Sequence, residues 1–339
     1  MEEKHRKNRG LHRGAVLCMA LAMLGACCLP GMALGTSLVP VGRAVGICLH
    51  TPGALVVALK AGEGTSPAAE AGIQLGDLIV GLGSRAVSSA ADFMEAASDA
   101  DGSPVPLRVL RQGQEMEFSV RPRRSDKGWI FGVWLRDNIS GIGTVTFYDP
   151  ETGFYGALGH PINDVDTGEM LPLGSGEVME AEVQEVKKGR CGLPGELVGG
   201  FSFEDSCGSV LGNTACGIFG YLDSADFTDA EALEVAAPCA GDAVILTNVE
   251  GTETAEYSIR IEQVWEGEIR SLCFRVTDSA LLSRTGGVVQ GMSGSPIVQD
   301  GHLVGAVTHV LVNDPTRGYG ISMEKMLETA ETIELQTAA

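Results

Sequence analysis

The stretch from Gly291 to Thr308 reads GMSGSPIVQDGHLVGAVT. Apolar residues flank the Asp300-Gly301 pair, an arrangement typical of a β-hairpin with a tight turn. Glycines lie close to Ser293 on both sides, and their conformational freedom lets backbone amides point towards a negatively charged oxygen beside the hydroxyl. The pattern predicts a nucleophilic Ser293 with an oxyanion hole made by the amides of Gly291 and Ser293. An ordinary loop that happens to contain a serine is the alternative.

The length and charge of the chain restrict its class. At 339 residues it is long enough for two domains, each with its own core. The net charge is −20, and the first 35 residues, which hold five basic and two acidic side chains, leave −23 on the remainder. So large an acidic surplus argues against nucleic acid as a partner of the folded part.

Residues 1–37 combine a basic head with an uncharged, largely apolar run from Gly14 to Gly35. This order is typical of a secretory signal or a membrane anchor whose basic end stays inside. The run is long enough to cross a bilayer, although Pro30 and Gly31 interrupt it. We therefore expect membrane attachment or secretion, with the rest of the chain outside the cytoplasm. A lipoprotein cleavage site ending at Cys27 is an alternative.

Nine cysteines are present, three of them in the apolar run. The chain contains no Cys/His cluster with zinc spacing and no His-Glu-x-x-His sequence, so we expect neither a metal nor a cofactor. A disulfide between Cys207 and Cys216 is compatible with the expected compartment, whereas buried thiols are the favoured state for most of these residues.

Residues 38–124 form a unit of their own, in which short apolar strands alternate with two short helices. The segment from Ser66 to Ile79 reads SPAAEAGIQLGDLI, with Ser-Pro at the start and glycine at the end of a small helix. This series resembles bacterial PDZ domains.

The PDZ resemblance implies a groove in which a bound peptide adds to the sheet as a strand. The turn that binds the peptide carboxylate is expected near Val45, Gly46 and Ile47. A PDZ fold that serves only as a spacer or an intramolecular clamp is the alternative. The basic segment around Arg121–Arg124 is interpreted as the linker to the second unit.

Residues 125–339 are rich in glycine and in short strand patterns separated by turns, which indicates a β-sandwich or β-barrel. Helical periodicity is scarce until a predicted C-terminal helix from Met323 to Thr332. We therefore expect a mainly β chain with an α+β unit in front.

A serine hydroxyl needs a base within hydrogen-bond reach, and histidine is the natural candidate. Of the six histidines, two precede the apolar run and His50 lies in the PDZ-like unit. His160 ends a strand at a bend next to a glycine and is favoured as the base. His309 follows the serine loop on a strand and is the alternative, while His302 is expected to face solvent.

A catalytic imidazole is usually oriented by a carboxylate. Asp278, at the end of a predicted strand before the serine loop, is the candidate. Asp164 and Asp166 lie close to His160 and remain alternatives, although so short a spacing more often gives a turn aspartate. Asp205 and Asp314 are more distant alternatives.

Three segments together resemble the SpoIVB peptidase family of endospore-forming bacteria. They are YGALGHPI from Tyr155 to Ile162, the run from Val276 to Pro296, and GAVTHVLVNDPT from Gly305 to Thr316. The resemblance implies a PDZ domain followed by a trypsin-like double β-barrel serine peptidase.

The family resemblance also implies roles and partners. His160 would be the general base, Ser293 the nucleophile and Asp278 the orienting acid. The enzyme would be secreted into the space between the forespore and mother-cell membranes and would cleave its own N-terminal region. It would also cut a membrane-bound regulatory protein, which releases an intramembrane protease that activates a sigma factor.

Two features depart from the usual double-barrel enzymes. Asp278 lies only 15 residues before Ser293, whereas those enzymes carry the aspartate on the first barrel. The PDZ unit also precedes the protease unit instead of following it. The main rival is a membrane-tethered PDZ adaptor with a non-catalytic protease-like domain. An esterase is disfavoured because Ser295 occupies the last position of Gly-x-Ser-x-Gly and no histidine follows Asp314.

Overall fold

The chain folds almost entirely into β-strands. A computed structural model describes residues 36–60, 64–126, 128–223, 230–267, 269 and 271–337. The predicted signal or anchor at residues 1–37 lies almost wholly outside the described residues. The described part of the chain contains no helix that combines the length and the hydropathy expected of a membrane span.

The strands and helices follow one another along the chain with short connections. In chain order the strands are β1 (Ser37–Pro40), β2 (Ala44–Leu59), β3 (Leu78–Leu82), β4 (Arg85–Ala86), β5 (Val105–Arg111), β6 (Gln114–Val120), β7 (Arg123–Ser125), β8 (Gly128–Ile130), β9 (Val133–Tyr148), β10 (Phe154–Ala157), β11 (Ser175–Lys187), β12 (Glu196–Thr214), β13 (Gly217–Leu222), β14 (Leu233–Glu234), β15 (Gly241–Thr247), β16 (Ala255–Val264), β17 (Leu272–Val276), β18 (Pro296–Gln299), β19 (His302–Val310) and β20 (Arg317–Ser322). The helices are α1 (Pro67–Ala71), α2 (Ala90–Ser98), α3 (Ser279–Thr285) and α4 (Met323–Thr337).

Two six-stranded barrels form the body of the molecule. The first closes through the order β2, β9, β10, β13, β12 and β11, because β11 and β9 both pair with β2. The second closes through β15, β16, β17, β20, β19 and β18. The predicted mainly β fold with a double β-barrel is confirmed, and α4 covers a buried apolar cluster that includes Phe147 and Phe219.

The PDZ-like unit has its own core. Its strands β3, β5 and β6 continue the sheet of the first barrel, and α1 and α2 pack on them. Ser66 caps α1 by accepting a hydrogen bond from the amide of Ala69, and Gly72 ends the helix with a φ of 103°. The helix therefore begins and ends where the sequence pattern predicts.

Two strands belong to both units. Residues 44–50 of β2 pair with β9 and β11 of the barrel, whereas Leu55 pairs with Leu78 of the PDZ-like unit. Residues 133–136 of β9 pair with the second half of β2, and the rest of β9 lies in the barrel. The division at residue 124 into units 38–124 and 125–339 stays a prediction, but the pairing runs across it.

The predicted carboxylate-binding turn lies inside the barrel wall. Val45 pairs with Glu180 on one side and Gly143 on the other, and Ile47 pairs with Val178 and Gly141. A side-chain carbon added at Gly46 would lie 2.3 Å from the ring of Phe201. Both edges of this segment are occupied, so no peptide strand can add there. The structure corrects this placement.

The barrels meet where the serine loop contacts β9. The amide of Thr144 donates to the carbonyl of Ser293 at 3.0 Å. Next to it, Gly294 has a φ of 98°, and a side-chain carbon added there would lie 2.0 Å from the carbonyl oxygen of Thr144. Only glycine therefore allows the loop to approach the first barrel this closely.

A Gly294→Ala substitution tests this contact. We expect it to lower the free energy of unfolding by more than the 1–2 kcal/mol or so that a left-handed backbone alone costs alanine, because the added carbon also separates the barrels. Gly301→Ala is the matched control, since Gly301 has a φ of 77° and nothing within 4 Å of the added carbon. Urea unfolding of both variants measures the difference, and equal losses would contradict the contact.

Candidate active site

A cavity of about 500 Å³ lies between the two barrels. Its wall contains the side chains of His160, Ser293 and His309, which are separated by up to 149 positions in sequence. Among the described residues, the cavity lining contains no aspartate, glutamate, lysine or arginine. The structure thus brings together the favoured base, the predicted nucleophile and the alternative base in an uncharged, largely apolar setting.

The local backbone aims His160 into this cavity. Leu158 and Gly159 both have a φ of 68°, so the chain turns sharply directly after β10. A buried leucine in this conformation is unusual and is held by its surroundings: its amide donates to the carbonyl of Thr144 at 3.2 Å. The glycine bend in the sequence predicted the turn but not the strained leucine.

Asn213 fixes the segment that follows His160. Its side-chain oxygen accepts from the amide of Ile162 at 2.8 Å, and its nitrogen donates to the carbonyls of Ile162 and Leu171 at 2.9 and 3.0 Å. One carboxamide on β12 therefore anchors both ends of the loop that begins at the histidine. Nothing in the local sequence around Asn213 indicated this role.

The ring of His160 has a defined hydrogen-bond partner. Its Nδ1 lies 2.8 Å from the carbonyl oxygen of Pro161, and since a carbonyl only accepts, Nδ1 carries the proton. The lone pair of the neutral ring is then on Nε2. Burial lowers the pKa of His160 below its ordinary value, and the bond to Pro161 opposes this shift only in part.

His309 packs against His160, with 4.9 Å between the ring centroids and an angle of 40° between the rings. The preceding residue, Thr308, accepts a hydrogen bond of 2.7 Å from the hydroxyl of Ser293 through its carbonyl oxygen. The hydroxyl is therefore held by the β19 backbone in this state, and its proton must be redirected before an imidazole can take it.

The backbone amides of Gly291 and Ser293 are the predicted oxyanion hole. Neither has a hydrogen-bond acceptor within the part of the chain that the structure describes. Gly291 has a φ of 95°, and its carbonyl accepts a hydrogen bond of 2.8 Å from the hydroxyl of Thr144. Thr144 thus contacts the serine loop through its amide and its side chain, and it was not identified from the sequence.

Asp278 lies elsewhere. It is the N-cap of α3, and its Oδ1 accepts from the amides of Ala280 and Leu281, each at 2.9 Å. It is absent from the cavity wall. The structure does not bring the predicted orienting acid to His160. An aspartate directly before a short helix is a usual N-cap residue.

The two alternative carboxylates that follow His160 most closely in sequence are engaged in an ion-pair cluster. Asp164 is buried and, like Asp166, bonds to the guanidinium of Arg136. Its pKa is lowered by bonds from backbone amides and from Arg136, which outweigh the effect of burial. Neither aspartate lines the cavity.

Comparison with known proteins identifies the family. The model of the SpoIVB peptidase S55 family matches residues 127–327, and a PDZ domain model matches residues 33–121. The chain belongs to the SpoIVB peptidase S55 family. The PDZ-like unit is accordingly a PDZ domain, and the family expected from the sequence is confirmed.

Individual relatives are more distant. A Bartonella henselae protein described as a zinc metalloprotease, BH06270, is 31% identical over 78 residues, which are 23% of this chain. The match spans only 22% of that relative's length. Solved structures of the Mycobacterium tuberculosis protease Rv3671c, in an inactive mutant and in the active form, are 14% and 16% identical. The matches cover 58% of this chain and 82% and 75% of those chains, with TM-scores of 0.34 and 0.33.

Substitutions at Asp278 distinguish a cap from an orienting acid. Asparagine is as good an N-cap as aspartate but cannot carry the negative charge that stabilises an imidazolium. We expect Asp278→Asn to keep its peptidase activity and its stability, and Asp278→Ala to lose about 1 kcal/mol of unfolding free energy. Kinetics and thermal unfolding of both variants are the measurement. A large decrease of kcat in the asparagine variant would show that Asp278 acts as the orienting acid after all.

The pKa of His160 sets the expected pH profile. Because the neutral ring is the base and burial favours the neutral form, kcat/KM should stay level at neutral pH and fall only below about pH 6.5. The same shift makes the folded state bind its proton less readily than the unfolded chain, so its contribution to stability is lost as pH falls below about 6.5. A midpoint of the kcat/KM profile above pH 7 would contradict the lowered pKa of His160. If the decrease of kcat/KM at acid pH disappears in His309→Gln, that decrease belongs to His309.

Proposed function

We propose that this protein is a serine endopeptidase. The observation that supports this best is the shared cavity of Ser293 and His160, next to two backbone amides with open hydrogen-bond capacity in the described structure. Ser293 attacks the peptide carbonyl, and Nε2 of His160 accepts its proton and later donates it to the leaving amine.

In the proposed mechanism a backbone carbonyl orients the histidine ring, a role that a carboxylate has in Ser-His-Asp triads. The carbonyl of Pro161 holds the ring of His160 in the Nδ1–H tautomer, so that Nε2 carries the lone pair that a base needs. Rotation of the Ser293 side chain exchanges its bond to Thr308 for one to His160. The amides of Gly291 and Ser293 then stabilise the oxyanion, a contribution of about 3–4 kcal/mol for each donor.

We propose that this activity takes place outside the cytoplasm, at or beyond a membrane. The basic head and apolar run of residues 1–37 favour attachment to, or passage across, a membrane, with the catalytic part outside the cytoplasm. Membership of the SpoIVB peptidase S55 family supports a place in sporulation, with cleavage of the protein's own N-terminal region and of a membrane-bound regulator of an intramembrane protease. The PDZ domain would dock a peptide of a protein partner.

One observation favours the rival function of a PDZ adaptor with a non-catalytic domain. The hydroxyl of Ser293 bonds to a backbone carbonyl, and the described lining of the cavity offers no carboxylate to support the imidazole. A fluorophosphonate probe separates the two functions because it reacts only with an activated serine.

The full chain and its Ser293→Ala variant test the enzyme directly. We expect the unchanged chain to be labelled by a fluorophosphonate and to release a shortened product, because Ser293 is the nucleophile for both reactions. The variant should fold normally and do neither. N-terminal sequencing of the product gives the cleavage site and the fate of the anchor. Self-processing by the purified variant would exclude Ser293 as the nucleophile.

A further inference from the structure

Between Asn138 and Ile142, strand β9 has one edge occupied by β2 and one open edge. From Asn138 to Thr144 it pairs residue by residue with β2, without a shift in register. The amide and carbonyl of Thr144 point away from β2, because they bond to Ser293 and Leu158. The amide of Val145 points the opposite way, to the carbonyl of Arg43.

The alternation of an antiparallel strand extends this direction along β9. Residues two apart direct their amides and carbonyls to the same side, so Ile142 and Ser140 direct theirs to the outer edge, as Thr144 does. Within the described residues, no partner is found for these backbone groups. An unpaired strand edge of this kind is a template for another strand.

The open edge borders the active-site cavity. Residues 139–142 form part of the cavity wall, and Ser293 and Gly291 form another part. Ser140 and Gly141 are exposed, and the cavity beside them has a volume of about 500 Å³. A peptide strand therefore has room beside β9 within reach of the proposed nucleophile.

The chemistry of the opposite wall restricts the side chains of such a peptide. The cavity is lined there by Val288, Val289, Val310, Val312 and Pro194, and the part of the chain that the structure describes places no Asp, Glu, Lys or Arg in its wall. A lysine, arginine or acidic side chain would enter without a counter-charge, and a buried charge without a partner is strongly unfavourable. Aliphatic and aromatic side chains lose water there at no such cost.

We propose that the cavity next to Ser293 selects substrates with uncharged, apolar side chains, which a peptide strand bound along the outer edge of β9 at Ser140 and Ile142 presents to it. This rests on the proposed endopeptidase function and specifies the class of its substrate. It also distinguishes the protein from peptidases that select a basic residue with a carboxylate at the base of the pocket.

A proline at position 140 tests the edge. The amide of Ser140 points away from β2, so Ser140→Pro removes an outward donor without removing a bond to β2. Against a library of internally quenched octapeptides, we expect its kcat/KM to fall about tenfold further than that of Ser140→Ala, which keeps the amide. Tenfold corresponds to roughly one hydrogen bond. Labelling of Ser293 by a small fluorophosphonate should persist in the proline variant, because the probe does not extend along β9.

The substrate provides a second test that needs no variant. With the full chain, N-methylation of single backbone positions in the best octapeptide should reduce cleavage about tenfold at alternate positions, where the amide faces β9. Cleavage should favour Val, Leu or Phe over Lys, Arg or Asp next to the cut bond. Equal effects of methylation at all positions, a preference for charged residues, or equal kinetics of the proline and alanine variants would overturn the proposal. A chain whose Ser293 is never labelled would instead refute the endopeptidase function itself.

Discussion

The active site depends on one buried residue of the first barrel, Thr144. Its amide bonds to the serine loop, its hydroxyl bonds to the carbonyl of Gly291, and its carbonyl receives the amide of Leu158 at the histidine bend. Each proposed catalytic group comes from a different barrel, so neither barrel can position both. Thr144 is the point at which the two positions are fixed relative to each other, and the absence of a side chain at Gly294 makes that approach possible.

The same strand that carries Thr144 connects the catalytic cleft with the PDZ domain. Its first residues pair with the half of β2 that packs on the PDZ core, and its last residues form the barrel wall. A displacement of one unit must therefore bend β9 or break its ladder with β2. Closely packed strands transmit such strain, because their hydrogen bonds and side chains leave few alternative arrangements.

Local sequence patterns predicted the residues of the site better than they predicted which strands pair over long distances in sequence. The glycines around Ser293 and the bend before His160 specify backbone conformations, and both residues line the cavity as a nucleophile and base require. A sandwich or barrel and the terminal helix were also expected from strand spacing and periodicity, whereas the double barrel was expected only from the family resemblance. In contrast, the edge partners of Val45, Gly46 and Ile47 come from β9 and β11, which lie about 100 residues or more further along the chain. No local signal shows that such a segment is enclosed.

Asp278 illustrates a different limit of sequence interpretation. A carboxylate next to a strand end and before a nucleophile satisfies the spacing of a triad, but it satisfies the spacing of a helix cap equally well. The two uses require different surroundings, which only the fold supplies. Thr144 and Asn213 were missed for the complementary reason, since threonine and asparagine act here through bonds to distant backbone atoms.

The sharing of β2 has a consequence for how this architecture can evolve. In most modular proteins a peptide-recognition unit is joined by a flexible linker and can be gained, lost or exchanged by recombination at that linker. Here the excised segment would take residues 44–50 with it, and the first barrel would lose one of its six strands. Recognition and cleavage are therefore inherited together, and the two units must change sequence in step.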